Sequence, residues 1–197
     1  MIKRFLVLLS FILIGMNNPE VIHVNTSNAG KMEEYKTYFS PKTVIAWTED
    51  LIEPNADPLT IIQYKASCFQ GVLVDDVALD IDGVDVGVNV RWFLNDLNSS
   101  KYLGRSCVFS CLLAVRIEDK VRIYKGEVKG KLVEPRGEGF GFGPYFLSEG
   151  SDKTLGEFMD PRFNARYIAI ENFKEDRLYT ILPVLEEWNG EVQTQKK

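Results

Sequence analysis

The segment Thr26-Ser27-Asn28-Ala29-Gly30-Lys31 joins a short β-branched apolar run, VIHVN (21–25), to a stretch of helical character beginning at Lys31. Backbone N–H groups at a helix start favour an anion, and a lysine one turn in adds a point charge. The same residue types also make a plain N-cap, because Ser and Asn favour that position with no ligand present. Glu53, Asp75 and Asp76 supply hard oxygen donors of the kind that hold Mg2+ together with substrate phosphates. Asp75 and Asp76 follow an apolar VLV (72–74), which places them at a strand end, where α/β sheets bind ligands. Asp80, Asp82 and Asp85 come close behind, so a solvated acidic turn fits as well. Lys65 on one helical stretch and Arg91 at the start of another are candidate phosphate ligands or ordinary surface cations. In PRGEGFGFGP (135–144) the glycines allow close backbone approach. Phe140 and Phe142 there can stack on a flat ring or fill the core. His23 is the single histidine and lies inside the first strand, so neither a Ser/His/Asp triad nor a zinc cluster can be assembled. Any hydrolysis would be metal-assisted.

The elements that must position these residues alternate. VIHVN (21–25) and TVIAW (43–47) read as strands, and Lys31 to Phe39 and Leu59 to Phe69 as helices. The polar, Pro-containing TEDLIEPNADP between them is a loop carrying Glu53. Val90 to Leu97 has helical character, with Trp92 and Phe93 anchoring it beside Arg91. SCVFSCLLAVRI (106–117) and VRIYKGEVKGKLV (121–133) read as a long hairpin turning at Glu118–Lys120. KTLGEFM and ARYIAIENFKEDRL are helical candidates, and the polar tail after Trp188 reads as frayed. Strands alternating with helices, plus one long hairpin, predict an α/β fold with a mixed sheet flanked by helices.

With 197 residues, 45% hydrophobic and 26% charged, the chain can build one domain with a real core. A net charge of −5 argues against a broad nucleic-acid surface but leaves room for a single nucleotide. The three cysteines, Cys68, Cys107 and Cys111, read as buried thiols rather than a disulfide framework. Residues 1–20 differ from the rest. A basic start (Lys3, Arg4) precedes an apolar run, as in a signal peptide, with no A-x-A-like cleavage site and too little length for a membrane span. Translation starting at Met16 is the competing reading. The expected organisation is an extension over 1–20, a domain over 21–190 and a polar tail over 191–197. A cytoplasmic location is expected, with export or membrane anchoring through residues 1–18 as the alternative.

The order of these motifs (TSNAGKMEE, a loop glutamate, QYKAS, VLVDDVALDIDG, VRWFL, a hairpin, RGEGFGFGPYF, KTLGEF) resembles the inosine triphosphate pyrophosphatase family over about residues 21 to 190. The resemblance implies an elongated mixed α/β fold, a homodimer, and Mg2+-dependent cleavage of non-canonical purine nucleoside triphosphates to monophosphate and pyrophosphate. It assigns Thr26, Ser27, Asn28 and Lys31 to the phosphate motif T-x-N-x-x-K, and Lys65 and Arg91 to the phosphates. It assigns Glu53 and Asp76 to Mg2+ and water activation, with Asp75 in place of a usual glutamate. Phe140, Phe142 and Arg166 fall to the base end.

The chain departs from the family at that end. Where the family has GFGYDP this chain has GFGFGP, so Gly143 replaces an aspartate. Where the family has K-N-x-x-S-H-R, this chain has Asp160-Pro161-Arg162-Phe163-Asn164-Ala165-Arg166, which keeps only the arginine. Loss of base-reading groups weakens selection, because a wrong base no longer leaves a buried polar group unpaired. Three readings stand: a pyrophosphatase with an altered base pocket, a catalytically inactive nucleotide-binding or interaction protein of the same fold, and a structural domain without a nucleotide.

Overall fold

The computed structural model describes residues 20–84, 86, 93, 100–185 and 187–193. The chain order is β1 (Val21–Asn25), α1 (Ala29–Phe39), β2 (Thr43–Trp47), α2 (Pro58–Ser67), β3 (Leu73–Ile81), β4 (Ser106–Ile117), β5 (Lys120–Leu132), β6 (Phe146–Ser148), α3 (Ala165–Lys174) and β7 (Thr180–Pro183). Among the described residues these strands form one seven-stranded sheet in the order β2-β1-β3-β4-β5-β6, with β7 also on β5. β2, β1 and β3 run parallel, and β3 through β6 pair antiparallel. The expected mixed sheet and long hairpin are therefore present. Among the described residues no helix is long and apolar enough to cross a membrane.

Period-2 alternation divides the core between the two faces. Cys107, Phe109, Cys111, Leu113 and Val115 of β4 pack with Tyr35 and Phe39 of α1 and with Ala169 and Ile170 of α3. Leu112 and Ala114 turn the other way, onto Ile62 and Ala66 of α2. Close approach on the first face depends on Gly126 of β5, whose missing Cβ would lie 1.9 Å from the Ala165 carbonyl oxygen. α2 opens with Pro58 in its first turn and Asp57 as N-cap, accepting from the Leu59 and Thr60 amides.

The structure corrects four expectations. Cys68 is not buried with the other thiols but stands exposed at the C-cap of α2. β3 does not stop before the acidic pair: it runs nine residues through Asp75 and Asp76, held in register by β4. KTLGEF is not a helix. The Thr154 amide donates to Glu157 Oε2 and the Glu157 amide to Thr154 Oγ1, a reciprocal box that closes one turn. Gly156, packed against the Arg136 and Glu138 carbonyls, follows inside that turn. Of the segment after Trp188, residues 189–193 are docked rather than frayed, with Val192 bridged to Pro54, and 194–197 lie outside the described residues. Of the expected helix over 90–97 only Phe93 is described, and of the extension over 1–20 only Glu20.

Candidate functional site

β1 and β3 share a short parallel register at Val24 and Leu73, and β1 ends at Asn25 while β3 continues to Ile81. Beyond the end of β1 a cleft of about 970 Å³ opens, so groups on both faces of β3 reach one space. Neighbouring residues on a strand point to opposite faces, which separates the two aspartates. Asp75 faces α1 and α3, and Asp76 faces α2.

On the α2 side, Lys65 in the last helical turn donates from Nζ to Glu53 Oε1 and Oε2 at 3.2 Å and to Asp76 Oδ1 at 3.1 Å. Burial alone would push the Lys65 ammonium down, but Asp76 and Glu53 outweigh it and hold its pKa above the ordinary value. Burial pushes the Asp76 carboxyl up, with Lys65 and Lys31 opposing. Two carboxylates converging on one point of positive charge, both oxygen-only donors, suit a hard divalent cation completed by phosphate oxygens and water. Among the described residues no cluster of three or more His, Cys, Asp or Glu forms a cage without such a ligand.

On the other side, Lys31 Nζ donates to Asp75 Oδ1 at 2.9 Å, and Arg166 Nε donates to Asp75 Oδ2 at 2.7 Å. Burial raises the Asp75 carboxyl pKa, but the two cations overcome this and hold it well below the usual carboxylate range. Arg166 also pairs with Glu34, and Asn164 Nδ2 donates to Glu34 Oε1 at 2.8 Å. Asn164 Oδ1 caps α3 by accepting from the Arg166 and Tyr167 amides. Arg166, Glu34 and Asn164 are all buried, so this is an internal network whose polar atoms are committed to one another. Sequence reading missed Glu34, although it lies three residues after Lys31 and therefore on the same helical face.

In the phosphate motif, Asn28 Oδ1 accepts from the Lys31 amide as the N-cap of α1, and Thr26 Oγ1 accepts from the Asn28 amide just before the helix. Ser27 is exposed beside them. Phe140 lies over the start of α1, where a Cβ on Gly30 would meet its ring at 2.3 Å. Phe142 is buried edge-on against Phe109, with ring centroids 4.9 Å apart, and reaches the cleft only as part of its wall. Arg91 lies outside the described residues. Asp160 is bound bidentately by Arg162, its neighbour two residues on, so its charge is met locally.

The Ham1 family profile matches residues 22–176. A dITP/XTP pyrophosphatase of Thermococcus kodakarensis is 31% identical over 158 residues, spanning 71% of this chain and 85% of that protein. A dITP/XTP pyrophosphatase of Bacillus subtilis is 28% identical over 172 residues, spanning 72% of this chain and 87% of that protein. The solved structure of the Staphylococcus aureus Ham1 protein aligns with a TM-score of 0.62 at 21% identity, over 80% of this chain and 97% of that one, a likeness of fold.

Proposed function

The chain belongs to the Ham1 family, and from that premise we propose that it is a nucleoside triphosphate pyrophosphatase, hydrolysing purine NTPs and dNTPs to monophosphate and pyrophosphate. The observation that carries this reading is the convergence of Glu53 and Asp76 on Lys65 across the cleft that Lys31 and Phe140 also line. Lys31 and Lys65 hold the triphosphate, trading their carboxylate partners for phosphate oxygens. Glu53 and Asp76 would hold Mg2+, whose chemistry when bound is to neutralise phosphate charge and orient water. Water attacks the α-phosphorus, the bond to the bridging oxygen breaks, and pyrophosphate leaves. The water proton would pass to Asp76, whose Oδ2 is not engaged by Lys65.

The base pocket is read as altered. Gly143 presents no side chain, and Asn164 is occupied by Glu34 and the α3 cap. Selection then rests on the apolar walls of Phe140, Phe142 and Leu155. Mg2+ as the ion, a homodimer and a cytoplasmic setting belong to the same reading and are supported by the family resemblance.

The second reading, an inactive nucleotide-binding relative, is favoured by one observation: Lys31 and Lys65 are both already paired within the protein. Pyrophosphate release from ITP, XTP, ATP and GTP, with Mg2+ and with chelator, decides between them. Turnover that requires the metal is expected. Folded protein that binds nucleotide without releasing pyrophosphate would establish the second reading.

A further inference from the structure

Glu53 sits on the long loop between β2 and α2, an unpromising place for a precisely held ligand. Asn25 Nδ2 ties the start of that loop by donating to the Trp47 and Glu49 carbonyls. From Asp50 to Ala56, the backbone hydrogen bonds among the described residues run to the far end of the chain. The Asn55 amide donates to the Glu191 carbonyl at 2.9 Å, and the Gln193 amide donates to the Glu53 carbonyl at 2.8 Å. Side chains repeat the pattern: Asn55 Nδ2 donates to Glu191 Oε2, and Gln193 Nε2 to the Pro54 carbonyl. The segment is itself anchored. Trp188 lies against Tyr64 of α2 with ring centroids 6.2 Å apart, and its indole N–H donates to the Glu191 carbonyl. Gly190 permits the turn, since a Cβ there would meet the Trp188 ring at 2.6 Å.

We propose that residues 188–193 are a positioning strap that sets Glu53 opposite Asp76, so that the C-terminal segment tunes the affinity of the site for its divalent cation. Val192 and Gln193 line the same cleft as Glu53, so the strap is part of the wall it secures. The inference rests on the reading of Glu53 as a cation ligand. A partner that orients such a ligand commonly changes metal affinity 10- to 100-fold when removed.

The decisive residue is Gln193. Gln193→Pro removes the amide that holds the Glu53 carbonyl, whereas Gln193→Ala keeps it. Trp188→Ala loosens the anchor independently. Mn2+ binding to the full chain in the presence of a non-hydrolysable α,β-methylene triphosphate nucleotide, read by electron paramagnetic resonance, is combined with amide exchange over residues 49–56. Gln193→Pro and Trp188→Ala should each weaken Mn2+ binding about tenfold and speed exchange in the loop. Gln193→Ala, which keeps the amide but loses the side-chain bond to the Pro54 carbonyl, should fall between wild type and Gln193→Pro. Unchanged affinity in both disruptive variants, or a wild type that does not bind Mn2+, would overturn the strap. A wild type that binds Mn2+ but releases no pyrophosphate would remove the proposed activity, and the strap would still be decided by the affinities.

Discussion

Asn164 Nδ2 donates to Glu34 Oε1 at 2.8 Å, so the N-cap of α3 and the inner face of α1 are joined through a buried carboxylate that also carries Arg166. Removing a member of a buried charged network leaves its partners unpaired and desolvated, which is costlier than losing the contact itself. Glu34→Gln should therefore destabilise the protein by about 3 kcal/mol, with Asn164→Ala costing about 2 kcal/mol through the lost cap and the lost donor. Urea unfolding followed by circular dichroism measures both.

Asp75 and Asp76 should respond differently to the same change. Asp76→Asn is expected to abolish metal-dependent pyrophosphate release while leaving the fold intact, because its carboxylate faces the cleft and Lys65 keeps Glu53. Asp75→Asn should instead lower stability by about 3 kcal/mol, since Lys31 and buried Arg166 both depend on that carboxylate. Unfolding midpoints and pyrophosphate assays on the two variants separate the roles.

Gly143→Asp should raise the ratio of kcat/KM for ITP over ATP. A Cβ at Gly143 meets only ordinary contacts, 3.6 Å from Leu155 Cβ, so the variant is accommodated. Ala165→His is a poorer way to restore the family pattern. Ala165 is fully buried, and its carbonyl already fills the place of a Cβ on Gly126. Overpacking there should cost about 1–3 kcal/mol. An unmoved ITP/ATP ratio for Gly143→Asp would contradict the account of the base pocket.

Thiol labelling should find one cysteine in the native protein and three in denaturant. Cys68 is exposed, whereas Cys107 and Cys111 are buried on β4. Burial pushes the Cys107 thiol up to about 12 and the Cys111 thiol higher still, so neither presents thiolate near neutral pH. Titration with an aromatic disulfide reagent, before and after urea, counts them.

The sequence makes legible what repeats with a period. VIHVN, TVIAW, both early helices and the hairpin all stand where alternation or helical spacing puts them. β3 was cut short because Asp75 and Asp76 interrupt the apolar pattern, and only the β4 register shows that the strand continues. The reciprocal Thr154–Glu157 box looks like a helix start, and its failure to propagate depends on the packing of Gly156 against distant carbonyls. Cys68 was read as buried with the other thiols, but it ends a helix at the surface. The pairing of Asp75 with Lys31 and of Asp76 with Lys65 follows from strand geometry once β3 is known to include both. The strap could not be read in advance, because nothing in GEVQ announces a partner more than a hundred residues away.

The charged groups of the cleft set an order of arrival. Among the described residues lining the cleft, Lys31, Lys65 and Arg166 contribute three positive charges and Glu34, Glu49, Asp50, Glu53, Asp75 and Asp76 six negative ones, a sum of −3. A bare triphosphate therefore meets repulsion at the entrance, and a triphosphate already carrying its counter-cation meets less. The ionic-strength dependence of association reports this directly: added salt should speed entry of the uncomplexed nucleotide, since like charges are being screened, and should speed entry of the complexed one about half as steeply, its charge being roughly halved by the cation.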